Sequence, residues 1–342
     1  MNQAEKLLAI LPPFVINELS QFGLRLSHSS EVIRLSHGLS NVNYLINDGE
    51  HQWVLRSNSS ASDTLCDRHA EVKNWRLAAD AGLAPSLYYV SPDHAYFLSE
   101  YIEQDHGSQW ADLLCANSVK PLIDVALIKP NAGRQLLVLL QGLARLAVPD
   151  NVIEVSTQWQ RYRDQLRHVD THSLGTKSSE ILKQWQDHLN ELLGLEGKIG
   201  QWLAELGECI LASQYSHRDL NPHNLLSKKG QVFCIDFEYA CGSHPLCDLA
   251  GVLSTHVLST AQREALIEAY LLNHPKLTAD AKYALPAAIN MHWIFAVCWS
   301  LLMAADHAFS CEEQANDIEK SHNPHKAQEY LDYFELFFVL ID

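Results

Sequence analysis

Positive charge is what this sequence has least of. Its 25 Lys and Arg stand against 41 Asp and Glu, a formal net charge of −16 at pH 7. Phosphate backbones are held by clustered cations, so nucleic acid is excluded as a main partner. The acid excess fits two readings, solubility and a cationic ligand. Paired cysteines are missing as well: eight Cys are scattered over 342 residues with no C-x-x-C and no regular spacing. That excludes a disulfide framework and points to reduced thiols in the cytoplasm. Cys241, His244 and Cys247 imitate metal-ligand spacing. A closed zinc site needs a fourth ligand, and the nearest, Cys234, lies inside an apolar run that reads as a strand, so loop packing is the reading adopted.

Long apolar runs are scarce too. The amino-terminal "LLAIL" is cut by Pro12 and Pro13 and is too short for the apolar core of a secretory signal. Residues 285–305 are long enough to span a bilayer, but Asn290, His292 and Ser300 interrupt them and no basic flank follows. A buried helix is expected there, and no membrane partner. Internal repeats and low-complexity tracts are absent.

What is present is an ordered alternation. Residues 31–35, 42–47 and 52–57 favour strands, and Asp48-Gly49 is a hairpin signal between the last two. Residues 64–81 read as a helix that Thr64 can cap, with Leu65, Val72, Trp75 and Ala79 on one stripe and Gly82 as its stop. Short strands follow near 87–90 and 95–98, after which amphipathic segments dominate: 133–147, 156–168 and one long helix over 178–209. The expected fold is α+β and two-lobed. Residues 1–101 form a small antiparallel-sheet lobe with one helix, and residues 102–342 a larger, mainly helical lobe.

One stretch interrupts the helices. "HRDLNPHN" at 217–224 is followed by Leu225 and Leu226, a turn-like Lys228-Lys229-Gly230, and the β-rich Val232-Phe233-Cys234-Ile235. A hairpin returns to where it began, so Asn224 is brought beside Asp236, with Asp219 just upstream. Three oxygen-bearing side chains at one mouth suit Mg²⁺, which takes carboxylate, amide and phosphate partners and keeps waters. That is a constellation for phosphoryl transfer.

On "HRDLNPHNLL", "IDFEYA" and the trailing "HPLCDLA", the sequence resembles the protein-kinase-like small-molecule kinases: aminoglycoside phosphotransferases, choline and ethanolamine kinases and bacterial thiamine kinases. The choline and thiamine kinase-like branch is the nearest. The resemblance implies a protein-kinase-like fold, with ATP and Mg²⁺ as cofactors. It implies Asp219 as the acid that orients and deprotonates the acceptor hydroxyl, and Asn224 and Asp236 as metal ligands. It makes "SHGLSNVNYLI" the nucleotide-covering turn, although Gly38 is its one glycine and no G-x-G-x-x-G exists; amides of Ser40, Asn41 and Val42 would cradle phosphate. Arg56 stands where protein kinases carry Lys, as it does in choline and thiamine kinase-like members, and Glu71 is its implied ion-pair partner. Glu100, Tyr101 and Ile102 are the implied hinge that pairs with adenine, and Asp248 a buried anchor. Glu238 replaces the glycine of D-F-G, which hinders the flip that switches protein kinases and implies a constitutive enzyme. No A-P-E segment follows, so a protein substrate is not implied.

The acceptor is read less directly. Trp293 and Trp299 lie within 285–305, and Tyr330, Tyr333, Phe334, Phe337 and Phe338 form a terminal stripe. Such stripes form a core or, with a carboxylate such as Glu238 nearby, a cage for an amine cation; both readings stand. The expected activity is transfer of the γ-phosphoryl group of ATP to a hydroxyl of a small cationic alcohol of the choline, ethanolamine or thiamine class. An aminoglycoside or other small-molecule kinase is the alternative enzyme. A non-catalytic nucleotide-binding protein is the other, weakened because Asp219, Asn224 and Asp236 are all retained.

Overall fold

Three consecutive strand-forming segments, a helix and two more strands build an antiparallel sheet in the order β1-β2-β3-β5-β4. Its strands are β1 Glu31–Leu35, β2 Val42–Asn47, β3 Gln52–Ser57, β4 Leu87–Val90 and β5 Tyr96–Glu100. The structure, a computed structural model, describes residues 2–35, 41–58, 66–107, 109–110, 128–169, 179–309 and 323–342. Asp48 fixes the β2–β3 connection: its Oδ1 accepts the N–H groups of Glu50 and His51 at 3.0 and 2.8 Å, and its Oδ2 the indole N–H of Trp53 at 3.1 Å.

Two short helices precede the sheet, α1 Gln3–Ile10 and α2 Pro13–Gln21, and neither was expected. Each is too short to be stable alone. A reciprocal cap between Asn2 and Glu5 starts α1. Packing holds both, since Ala4, Leu7, Leu11, Val15 and Leu19 share one core with Val32, Ile46, Leu55 and Leu98 of the sheet. The next helix, α3 Arg68–Asp80, begins at Asp67, whose Oδ1 accepts from His69 and Ala70 at 3.0 and 3.1 Å. Thr64 and Leu65, assigned to its cap and stripe from the sequence, lie outside the described residues.

Helices α4 Ala132–Ala144 and α5 Val155–Arg167 follow. The single helix expected over 178–209 is two, α6 Ser179–Gly194 and α7 Glu196–Cys209, with Leu195 capping the second. Gly194 and Gly197 flank the break, where helix propensity is poorest. Then come β6 Gln214–Ser216, β7 Leu225–Lys228, β8 Gln231–Cys234 and β9 Cys241–Ser243. The β7–β8 ribbon is the hairpin read from the sequence. It closes through Lys229 and Gly230, both at positive φ, 52° and 78°, the backbone of a tight two-residue hairpin turn. The chain ends in α8 Leu246–Thr255, α9 Thr260–Leu271, α10 Leu285–Phe309 and α11 Pro324–Phe338.

The chain divides into two compact units. The first comprises Met1–Asn151, Gln214–Gly242 and Thr255–Tyr270, and the second Val152–Ser213, Ser243–Ser254 and Leu271–Asp342. Within the first, α4 packs on β6 and β8. Within the second, α10 packs against α5, α6, α7 and α11. By length and composition α10 could cross a membrane, yet Met291, Ile294, Val297, Cys298 and Leu301 are buried among its neighbours. The fold is α+β and two-lobed, an antiparallel-sheet lobe followed by a larger helical one; the compact units cut it differently, because the unit that holds the sheet also takes in Gln214–Gly242 and Thr255–Tyr270.

Candidate active site

The third strand of the sheet carries the first element of the site. Arg56 lies on β3 opposite Asn43 of β2 and Phe97 of β5 and is buried, with its guanidinium 4.7 Å from the centroid of Phe97 and 5.7 Å from that of Trp75. A buried charge needs a partner. Arg56 Nη2 donates to Glu71 Oε1, in the first turn of α3, as the resemblance implied. The other oxygen of Glu71 is also taken, by Arg68 Nη1 at 2.8 Å. Arg68 was missed from the sequence, although Arg-x-x-Glu on a helix start is a legible i,i+3 pairing.

The segment after β6 supplies the second element. His217 is fully buried; its Nδ1 accepts from the Asp219 N–H at 3.3 Å, so its proton sits on Nε2 and is donated to the Ile235 carbonyl at 3.1 Å. Burial keeps this imidazole neutral, with its pKa down to about 4. One neutral histidine therefore ties the strand before the loop to the end of β8. Arg218 takes a left-handed φ of 71°, a conformation that costs a non-glycine residue about 1–2 kcal/mol and is retained where the surroundings enforce it. The Asp219 carboxylate is held by two amides: Asn221 Nδ2 donates to Oδ1 at 2.8 Å and Asn224 Nδ2 to Oδ2 at 2.7 Å. Asn221 also caps the short Pro222–Asn224 turn of 3₁₀ helix. Its positioning role was not read from the sequence.

The hairpin does what its spacing implied. The Ile235 N–H donates to the Asn224 carbonyl at 3.0 Å, which sets Asn224 beside the start of "DFE". Asp236 follows with φ 68°, a second strained non-glycine, and receives Arg56 Nη1 at 3.3 Å. Phe237 is fully buried, stacked on Trp75 at 5.8 Å and tilted against His217 at 4.7 Å. Glu238 is buried next to Arg68 Nη1 at 3.7 Å and accepts from Asn41 Nδ2 at 3.5 Å. Burial, then the negative charge of Glu238, pushes the pKa of Asp236 well up, against the opposing pull of Arg56. Glu238 is raised as well, by burial first. With all three ionised, Glu71, Asp236 and Glu238 set three negative charges against two guanidiniums; the raised pKa values of Asp236 and Glu238 reflect burial first and then that imbalance, which a divalent cation would relieve.

The donor set fits Mg²⁺. Asn224 directs its amide nitrogen at Asp219, which turns its carbonyl oxygen elsewhere, and Asp236 keeps 29% of its side chain exposed while Glu71 keeps none. A carboxylate and an amide oxygen leave the remaining positions to water and phosphate, the usual division for Mg²⁺. Among the described residues no group of three or more His, Cys, Asp and Glu is placed to hold a metal. His244 contacts the Leu206 carbonyl at 3.0 Å through Nε2 and accepts the Leu246 N–H at 3.1 Å through Nδ1. Both ring nitrogens are therefore engaged in packing this loop.

Of the other sequence candidates, Ser40 and Gly38 lie outside the described residues, and Asn41 is buried at the start of β2. Glu100 ends β5, where its Oε2 accepts from the Ser86 N–H and hydroxyl, each at 3.2 Å, and Ile102 is buried just beyond. Asp248 is buried within the second unit. Trp293 and Trp299 belong to that unit too: Trp293 stacks on Phe337 at 5.8 Å, and Trp299 meets Tyr330 edge-on at 5.4 Å.

A family model described as "Phosphotransferase enzyme family" (APH) matches residues 31–282. The chain belongs to the APH phosphotransferase enzyme family. The APH span contains Arg56, Glu71, Asp219, Asn224, Asp236 and Glu238; α1 and α2 precede it, and Trp293 and Trp299 lie beyond it. Protein LicA of Haemophilus influenzae is 23% identical over 241 residues, which cover 68% of this chain and 60% of that protein, so under two thirds of the relative's length is matched. A choline/ethanolamine kinase family protein from Mesorhizobium loti superposes with a TM-score of 0.62 at 19% identity, covering 96% of this chain and 93% of that one. The choline kinase LicA from Streptococcus pneumoniae gives 0.61 at 18%, covering 95% and 98%. At such identities the likeness is one of fold, and the fold shared is that of the small-molecule kinases within the APH superfamily.

Proposed function

We propose that the protein transfers the γ-phosphoryl group of ATP to a hydroxyl of a small cationic alcohol, of the choline, ethanolamine or thiamine class. The carrying observation is the Asp219 carboxylate, fixed by two amides a hairpin away from a second carboxylate, Asp236, that faces the buried Arg56–Glu71 pair. In a loose phosphoryl-transfer transition state the protein's work is positioning and charge stabilisation. Asp219 accepts the proton of the attacking hydroxyl; Asn221 and Asn224 hold the carboxylate in one orientation for it. Arg56 clamps phosphate oxygens. Its Nε is buried without an acceptor among the described residues, a donor that an anion would satisfy. Asn224 and Asp236 would hold Mg²⁺, which neutralises charge on the phosphate oxygens when bound.

The nucleotide is assigned to the lobe of residues 1–101, with Asn41 and Glu100 beside it and Ile102 at its border, and the acceptor to residues 102–342. Reduced thiols and dependence on ATP favour the cytoplasm. The acceptor class rests on the acid excess and on Trp299, which keeps part of its surface and whose face would attract an ammonium group; Trp293, buried and stacked on Phe337, carries no part of it. The test is ATP consumption with Mg²⁺ against choline, ethanolamine, thiamine, homoserine and an aminoglycoside. Turnover with the first three alone supports the class, turnover with the aminoglycoside alone replaces it, and none with any acceptor overturns it.

A further inference from the structure

The charged residues of the site form a closed circuit. Starting at Asp236, the contacts run to Arg56 at 3.3 Å, from Arg56 to Glu71, from Glu71 to Arg68 at 2.8 Å, and from Arg68 to Glu238 at 3.7 Å. Glu238 is two residues from Asp236, and Phe237 between them is locked in the core against Trp75 and His217. Carboxylate and guanidinium alternate around the circuit, and the backbone of Asp236-Phe237-Glu238 closes it. Asn41, the residue before β2, attaches to it through Glu238 at 3.5 Å.

The two halves are not equivalent. Arg56 and Glu71 touch the Asp236 side and carry the roles already given. Arg68 and Glu238 lie on the far side, buried and turned towards each other, and no role was assigned to Arg68. A guanidinium presents several donors in a rigid planar fork, so one Arg can serve two carboxylates at once, which an ammonium does poorly. Removing either partner of a buried ion pair leaves the other uncompensated, and the residue left behind must move or neutralise. Here it cannot move alone, because Glu71 is shared with Arg56 and Glu238 shares its segment with Asp236.

We infer that Arg68 and Glu238 are positioning residues for phosphoryl transfer: they hold Glu71 and the Asp236-Phe237-Glu238 segment so that Arg56 and Asp236 meet the nucleotide in one geometry. The pair performs in this chain what a flexible glycine after Asp-Phe cannot, since it fixes the segment from the side-chain end. Glu238 thereby acts on the nucleotide side, through other residues and not by contact with the acceptor. This rests on the kinase reading above, and the experiment separates the two.

Four variants are purified, Asp219→Ala, Arg68→Gln, Arg68→Lys and Glu238→Gln, together with the Arg68→Gln/Glu238→Gln double. Turnover, KM for ATP, melting temperature, and calorimetric affinity for a non-hydrolysable ATP analogue with and without Mg²⁺ are measured. Arg68→Gln and Glu238→Gln should each lower kcat about 10- to 100-fold and weaken Mg²⁺-dependent analogue binding by about 3- to 10-fold. The double should lose less than the product of the two. Arg68→Lys should recover only part, because the fork is missing. If Arg68→Gln does not fold, the near-isosteric Glu238→Gln carries the same test. Variants that melt lower but keep wild-type kcat, KM and Mg²⁺-dependent binding overturn the inference, as does a fully active Arg68→Lys. If Asp219→Ala also keeps its turnover, the kinase reading itself falls; if it alone loses turnover, that reading stands and only the positioning role is lost.

Discussion

Two side-chain clusters of this protein are built on opposite physics. In the first unit, Arg56, Arg68, Glu71 and Glu238 bury their charged side chains in a circuit that only Asp236 opens to solvent. In the second, Trp293 stacks on Phe337, Tyr333 on Phe337 and Phe334 on Phe338, with centroids 5.8, 5.8 and 5.1 Å apart. Aromatic pairs of this kind contribute about 0.5–1.5 kcal/mol each beyond the area they bury. Buried ions do the reverse: each loses several kcal/mol of hydration, and their mutual attraction only about offsets it. The aromatic cluster thus accounts for itself as packing. The charged one does not, and its presence calls for chemistry.

The sharpest way to break this contrast is at Asp219. Replacement by Ala should lower kcat by roughly two to four orders of magnitude while ATP affinity survives, as calorimetry would show. A variant with undiminished turnover removes the mechanism. At the other cluster the effect should fall on stability: Trp293→Ala, emptying a site with 5% exposure, should cost about 3–5 kcal/mol in denaturant unfolding, with KM for ATP unchanged.

A histidine beneath the charged site gives a pH signature. Burial holds His217 at a pKa of about 4, against about 6.5 in an unfolded chain. Between those values the unfolded state binds the extra proton, so stability rises with pH. The contribution of His217 is complete above about pH 6.5 and is lost as pH falls towards 4, roughly 3 kcal/mol in all. Asp236 and Glu238, whose pKa values are raised, act with the opposite sign, which makes the variant comparison necessary. The difference in melting temperature between about pH 7.5 and pH 5 should shrink in His217→Gln; an unchanged difference means the imidazole does not control it.

Smaller effects sharpen the comparison. Arg56→Ala should lower kcat/KM for ATP by about 10- to 100-fold, and Glu71→Ala should act in the same direction with a coupling of about 0.5–3 kcal/mol in a double-mutant cycle. Full additivity would separate the two residues. Trp299, which keeps part of its surface and meets Tyr330 edge-on, is the position where packing and recognition can be told apart. If it contributes to an amine site, Trp299→Ala weakens acceptor affinity by about 0.5–2 kcal/mol and leaves ATP affinity alone. Unchanged acceptor binding in a folded variant assigns the tryptophan to the core.

Local pattern was enough for the first strands and for the hairpin. The strands at 31–35, 42–47 and 52–57 have the bounds their β-rich runs imply, because alternation and turn residues act over a few positions. The Asn224–Asp236 juxtaposition follows from a hairpin whose turn, Lys229-Gly230, is equally local. Contacts between distant segments were beyond it. The helices α1 and α2 owe their stability to the sheet they cover, and short helices carry little signal of their own. The break at Leu195 in an otherwise continuous apolar pattern is a choice of packing. Asn221 as a second amide on Asp219 needed the loop's conformation. By itself, then, the sequence determined the first three strands and the hairpin that brings Asn224 beside Asp236, since each depends on residues close together in the chain; the pairing of β3 with β5, Trp53 opposite Glu100, joins distant segments. Only the tertiary structure decided that Arg68 and Glu238 close the circuit around Asp236, because burying a charge is tolerable only where another segment, 170 residues on in the chain, brings the opposite one.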